Sequence, residues 1–396
     1  MTAMRNDEDD GEPFLIARGG PFFDAQKRIG LVAGDKLRPA RRALVLIAVT
    51  WGIPLLLTLV AGTAFGELDT RPYLLDPGVW ARSFLAIGML IIAEGQIEDR
   101  LRLCVDQFFN IPVLAAGSLK SARTALSEAK RSRDSAGAEI VCLLVSIATS
   151  SLVLHNMDGQ TDSSWALTIV GGSKSLSPAG WWSILVSNTM FWFLLTRAVW
   201  RHIIWGNLLA RFARLDLRLV ATHPDKHGGV GFVGGYPNAY VTFTVATSCV
   251  LAATIAHQVL HETFTVTSFG AVMGLWLVVV FIFFGVPLTS FAIALSELKT
   301  RTLQAASRQA TEFQRSVERS TLGSNVAANG DHSRPEQEIA DPTKLYEAIG
   351  KLSPLILNRS TLLPVTVVAL LPLIAVGLTQ LPFKDLLPIV KRLLVL

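Results

Sequence analysis

Seven stretches of the chain are apolar without the three-to-four-residue interruptions that mark a surface helix: about 43–66, 79–96, 138–157, 181–203, 237–257, 268–295 and 361–381. Runs of this length fill the hydrocarbon of a bilayer, so the expected fold is an all-α, polytopic transmembrane helical bundle. Six of the runs are expected to span. The last contains Pro364 and Pro372, and is read either as a seventh span or as a re-entrant segment ahead of the basic tail Lys384, Lys391 and Arg392.

Lys and Arg between the runs set the expected orientation. The first connection has Arg71 alone, among Glu67, Asp69 and Asp76, and the connection 158–180 has only Lys174. Both are expected outside. By contrast, 97–137 carries Arg100, Arg102, Lys120, Arg123, Lys130, Arg131 and Arg133, and Ser118 to Arg133 reads as a basic helix. The same rule puts 204–236 and 297–360 on the inside, the latter as a charged helix to Arg319 followed by a disordered linker. Segment four shows no breaker before about Thr222, which would make a helix of about 60 Å that projects beyond the bilayer. Residues 1–42 form a cytoplasmic arm, since no cleavage site precedes the first run. The expected location is the bacterial inner membrane.

Composition narrows the class further. The 396 residues are 51% hydrophobic, with a formal charge of +5 and a mean hydropathy of +0.43. The surplus of positive charge sits in membrane flanks, so the expected partners are the bilayer, anionic lipid headgroups or a small anion, and a second copy of the chain, not nucleic acid. Cys104, Cys142 and Cys249 have no paired spacing and read as packing residues. No cofactor is expected.

Candidate chemistry concentrates in two places. The first is the polar, glycine-rich stretch His223-Pro224-Asp225-Lys226-His227-Gly228-Gly229-Val230-Gly231 between apolar segments. Such a stretch must lie at a membrane edge or line a watery cavity. Lys226, the two histidines and the N–H groups around Gly228, Gly229 and Gly231 suit an anion, although the glycines serve equally well simply to turn the chain. His223, Asp225 and His227 are also weak metal ligands, as are His257, His261 and Glu262 at the far end of segment five; neither set has a recognised ligand spacing. Gly229 to Gly234 matches G-x-G-x-x-G in letters only, because no strand precedes it. The second place is segment two, where Glu94, Glu98, Arg102 and Asp106 recur every four residues. A carboxylate at the depth of Glu94 needs a partner, and the expected contact pairs Glu94 or Glu98 with Arg197 or Arg201 of segment four, joined with the His223 loop in one site at the cytoplasmic face.

Several blocks together, Gly20-Pro21-Phe22-Phe23 with Arg28-Ile29-Gly30-Leu31, Glu94 with Asp99-Arg100-Leu101-Arg102 and Gln107-Phe108, and His223-Pro224-Asp225 with Gly228-Gly229-Val230-Gly231-Phe232, resemble an uncharacterised family of bacterial multi-pass membrane proteins. The resemblance implies the fold and brings no activity; His227 falls on a variable position of its pattern, and His257 and His261 lie outside its blocks. Three functions compete. They are a transporter or channel for a small ion or anionic solute, with the polar loop as site or gate; a membrane enzyme acting on a lipid or phosphorylated substrate, with His223 as acid or base; and a non-catalytic scaffold or sensor.

Overall fold

The computed structural model describes residues 14–32, 37–66, 71–155, 165–170, 173–259, 265–327, 341–357, 359–380 and 383–395. The acidic run 6–12, the linker 328–340, His261 and Glu262 lie outside them.

The chain folds as an all-α bundle. A short arm helix, α1 (Pro21–Arg28), precedes α2 (Pro39–Ala61) and α3 (Pro77–Asn110). The basic helix α4 (Leu119–Arg133) then leads into α5 (Ala136–His155). A β-hairpin, β1 (Leu167–Val170) with β2 (Ser173–Leu176), comes before α6, residues 178–213. A 3₁₀ helix, Gly231–Tyr240, continues as α7 (Val241–Val259). α8 (Val266–Leu288) runs through one 3₁₀ turn into α9 (Ala292–Leu322), and α10 (Thr343–Gly350), α11 (Arg359–Gln380) and α12 (Phe383–Val395) complete the chain.

Six helices are long and apolar enough to cross a membrane among the described residues: α2, α3, α5, Gly231–Ala256, Val266–Leu322 and Thr361–Thr379. The protein is accordingly a multi-pass membrane protein. Large apolar side chains turned outward form the lipid-facing belt, as with Val60 at 91% exposure and Leu144 at 59%; in water such a surface would be prohibitive. The last apolar run is one continuous helix despite its two prolines.

The helix expected as the fourth span is not among the six, because Asn188, Thr189, Thr196, Arg197 and Arg201 dilute its apolar stretch. It nevertheless reaches both ends of the bundle. Near one end the Trp182 indole donates to the Val49 carbonyl (2.9 Å), and at the other Arg211 pairs with Glu128 of α4. Thirty-six helical residues, 178–213, extend about 54 Å.

That helix stops at Ala213, short of the expected Thr222. Leu215, Leu217 and Leu219 alternate with Asp216, Arg218 and Val220, a period-two pattern that favours extended chain. Leu217 bridges Leu114, with Arg218 N donating to Val113 O (2.7 Å) and Ala115 N to Asp216 O (3.1 Å). The loops 111–118 and 214–230 thereby close one end of the bundle. The opposite end is capped by Tyr73, Trp165 and Ala179. There the Ser177 hydroxyl donates to Trp165 O (2.6 Å), and Gly180 sits so close to Ala166 O that a Cβ would lie 2.4 Å away.

Candidate functional site

The polar loop folds around one of its own carboxylates. Asp225 accepts from the backbone N–H of His227 (Oδ1, 2.8 Å), Gly229 (Oδ2, 3.1 Å) and Gly231 (Oδ2, 2.9 Å). The N–H groups of Gly229 and Gly231, which the sequence offered to an external anion, are therefore spent on this side chain. Lys226, Gly228 and Gly229 hold positive φ (60°, 68° and 99°), which lets the N–H groups converge. Added side chains would also collide. A Cβ on Gly231 would lie 2.9 Å from Asp225 Oδ2, and one on Gly228 3.0 Å from Leu295 Cδ2. Burial pushes the Asp225 pKa up, but the hydrogen bonds from His227, Gly231, His223 and Gly229 outweigh it and hold the carboxyl below its ordinary value.

His223 and His227 face different ways. His223 Nδ1 lies 2.8 Å from Asp225 Oδ1 and 3.3 Å from Asp225 N. One ring nitrogen cannot serve both, and the shorter contact to the stronger acceptor makes Nδ1–H the donor to the carboxylate. His227 is buried with Nδ1 3.2 Å from Ser353 O, beyond α10. The triad His223, Asp225 and His227 does not converge, and no group of three metal-ligating side chains does so among the described residues. His257 falls near the end of α7, and the rest of its set lies outside the described residues.

The second candidate cluster is larger than the sequence indicated. Glu94 Oε1 accepts from Arg197 (2.6 Å) and Arg201 (3.3 Å) of α6, and Oε2 accepts from Arg42 (2.6 Å) in the first turn of α2. Arg197 also reaches Glu139 Oε1 (2.7 Å), in the first turn of α5. Glu98 turns to the N-terminal arm, where it accepts from Ala17 N (3.0 Å) and Arg18 Nε (2.9 Å). Four long helices, α2, α3, α5 and α6, and the arm thus meet in one network. Arg102 and Asp106, the rest of the stripe, contact each other at the surface (3.8 Å) and take no part in the network.

The arm is built into this network through its backbone. Arg201 donates to Ala17 O (2.8 Å), Arg197 to Gly19 O (3.4 Å), and Arg133 to Leu15 O. Glu139 Oε2 accepts from Phe22 N (2.7 Å), capping α1 where Pro21 starts it. Gly20 has φ 86°, and a Cβ there would lie 2.6 Å from Glu139 Oε1, so only glycine brings the arm this close. The Arg197 guanidinium sits 5.2 Å from the centre of the Phe22 ring. Beneath the arm lies a cavity of about 20 Å³ lined by Ile16, Ala17, Glu94, Arg201, Tyr240 and Phe243 among others. That is room for one water. The Tyr240 hydroxyl, in a residue 1% exposed, has no hydrogen-bond partner there.

Of the two acids expected to meet the arginines of segment four, Glu94 pairs with Arg197 and Arg201 while Glu98 turns to the arm, and hydrogen bonds do not join this cluster to the His223 loop among the described residues. That loop packs instead on Leu219, Leu295 and Val113 and bonds to Ser353. The sequence reading passed over Arg42, Glu139 and the backbone of residues 15–22. Glu139 and Arg42 each occupy a first helical turn beside an apolar run, a position that resembles an ordinary membrane flank. No protein-family model, curated protein or solved structure matches the chain.

Proposed function

We propose that the protein is a bacterial inner-membrane transporter or channel-like protein for a small anion, with its centre at Glu94, Arg197 and Arg201 and the arm as its gate. The observation that carries this reading is the donor surplus at Glu94. Three guanidinium groups meet one carboxylate, and Arg197 and Arg201 also donate to the neutral carbonyls of Gly19 and Ala17. A carbonyl is a weaker partner for a guanidinium than an anion is. Lifting the arm would remove Ile16 and Ala17 from the cavity wall and return those donors to an incoming anion. The resemblance to the bacterial multi-pass family and the basic flanks favour this membrane and a cytoplasmic arm.

Anion flux in proteoliposomes tests the reading. Wild type is expected to conduct slowly, Arg201→Gln to lose flux, and Gly20→Ala, which loosens the arm, to raise it several-fold. Flux absent in both wild type and Gly20→Ala would end it.

A membrane enzyme is the second reading, favoured by the half-exposed His223 ring whose Nδ1–H is fixed on Asp225, leaving Nε2 to exchange a proton. It requires turnover of a lipid or phosphomonoester that His223→Ala abolishes and Arg201→Gln does not.

A further inference from the structure

Away from both clusters, three transmembrane helices each carry a π-helical turn: Ala48–Gly52 in α2, Trp80–Ala86 in α3 and Ser183–Asn188 in α6. A π-turn is costly and uncommon, and tends to occur where function requires it. These three touch one another and share a layer of polar side chains. Thr50 donates to Ser83 O (2.9 Å) and Ser187 to Thr50 O (2.6 Å), while Asn188 Nδ2 donates to the Ser150 hydroxyl (2.9 Å).

Arg82 belongs to this layer, and the sequence reading did not single it out. It sits on the π-turn of α3, inside the apolar run, where a guanidinium is expensive and marks function by default. Among the described residues its hydrogen bond goes to a neutral group, Asn188 Oδ1 (3.2 Å). Asp76, on the preceding turn, acts on Arg82 through its charge, while its oxygens accept hydrogen bonds from Gly78 N and Val79 N and from the Trp165 indole and make none with the guanidinium among the described residues.

Arg82 also borders a cavity of about 400 Å³ whose other walls are α6, α7 and α8. Trp192, Leu195, Val250, Trp276 and Phe283 make it almost wholly apolar. Its wall on α7 extends from Phe243 to Thr254, about 16 Å at the rise of an α-helix. Thr254 and Val279 are exposed at its edge, on the lipid-facing surface. A long apolar slot with one guanidinium at its end and an opening toward the bilayer has the shape and charge of a single acyl chain bearing an acidic head.

We propose that this cavity binds one acyl chain of an anionic lipid, with the tail between α6, α7 and α8 and the carboxylate or phosphate on Arg82. Asn188 orients the guanidinium, and Ser150 of α5 holds Asn188. The proposal is independent of the transport reading. A fatty acid and an anionic phospholipid present the same chemistry, an oxyanion on a chain.

Trp192 and Trp276 lie in the wall and supply the readout. Full-length protein in detergent is titrated with a fatty acid brominated along its tail, with the neutral methyl ester of that acid, and with a brominated-chain phosphatidylglycerol. Saturable quenching by at least one acidic probe is expected, with the ester weaker by about tenfold, the weight of a charged hydrogen bond. Whichever acidic probe quenches at the lower concentration identifies the source. Arg82→Gln should weaken the acidic probes to the level of the ester, and Arg82→Lys should restore part of the difference. Val250→Phe, which fills the slot and leaves Arg82 in place, should abolish saturable quenching by all three. Equal quenching by acid and ester in wild type, or saturable quenching unchanged in Val250→Phe, would overturn the proposal.

Discussion

Single residues in this protein act by closing hydrogen-bond accounts. Asp225 supplies the acceptor for three loop amides, and its depressed pKa makes the loop sensitive to acid in a defined direction. A carboxyl whose folded pKa lies below its unfolded value contributes stability above the unfolded value, near 3.9 for Asp, and loses it as pH falls through the folded one. Hydrogen exchange at His227, Gly229 and Gly231, corrected for intrinsic rates, should therefore be level from pH 7 to about 5 and lose protection only below the usual carboxylate range. Asp225→Ala should expose these amides at every pH, since each stranded N–H costs about 1–3 kcal/mol. Protection that persists in Asp225→Ala would mean other acceptors hold the loop. Arg197 stands at the other extreme, 2% exposed and shared by Glu94 and Glu139. Its removal leaves two carboxylates short of a partner, and Arg197→Ala should cost about 3–5 kcal/mol. Glu94→Gln in that background should cost less than it does alone, which a double-mutant cycle on thermal unfolding in detergent would read directly.

At the scale of elements, the arm and α12 are the parts whose attachment is most readily tested. The arm enters the bundle through backbone groups, so its docking depends on glycine more than on side-chain identity. Gly20→Ala should raise the protease sensitivity of residues 14–28 and leave the spans folded; equal sensitivity would show that Glu139 relaxes around the new methyl group. α12 turns back against the start of α8, with Ile389 over Gly270 and Leu386 beside Gly377. A Cβ on Gly377 would meet Phe269 and Leu386 at 2.7 Å. Gly377→Ala is expected to lower thermal stability by about 1–3 kcal/mol through overpacking, and an unchanged melting curve would place α12 in a looser association than the one described.

For the molecule as a whole, the ends of the bundle sort by charge. Arg133, Lys226, Ser353 and the arm gather at one end, and the hairpin and Asp76 at the other. If basic flanks set the orientation, Lys226→Cys should be shielded from a membrane-impermeant thiol reagent in intact cells while Ser175→Cys reacts. The reverse pattern would invert the protein and place the arm outside. α6 must then cross as well, for it connects the hairpin end to the Arg211–Glu128 end even though its sequence falls outside the six apolar candidates.

What the chain determines alone is the bundle, because the need to satisfy backbone groups inside hydrocarbon leaves an apolar run of about twenty residues little choice but a helix. Charge flanks likewise indicate that Glu94 meets the arginines of α6, since a buried carboxylate at that depth needs a cation. The end of α6 was also legible in principle, in the alternation of Leu215, Leu217 and Leu219. Other features required the tertiary structure. Neither the insertion of the arm nor the partnership of Arg82 with Asn188 has a local signature, because each joins groups far apart in sequence, and the turning inward of Asp225, though its donors lie within six residues, depends on a backbone geometry that composition does not encode. Helix formation in a membrane is decided residue by residue against lipid, whereas which polar groups find one another is decided only when the helices pack.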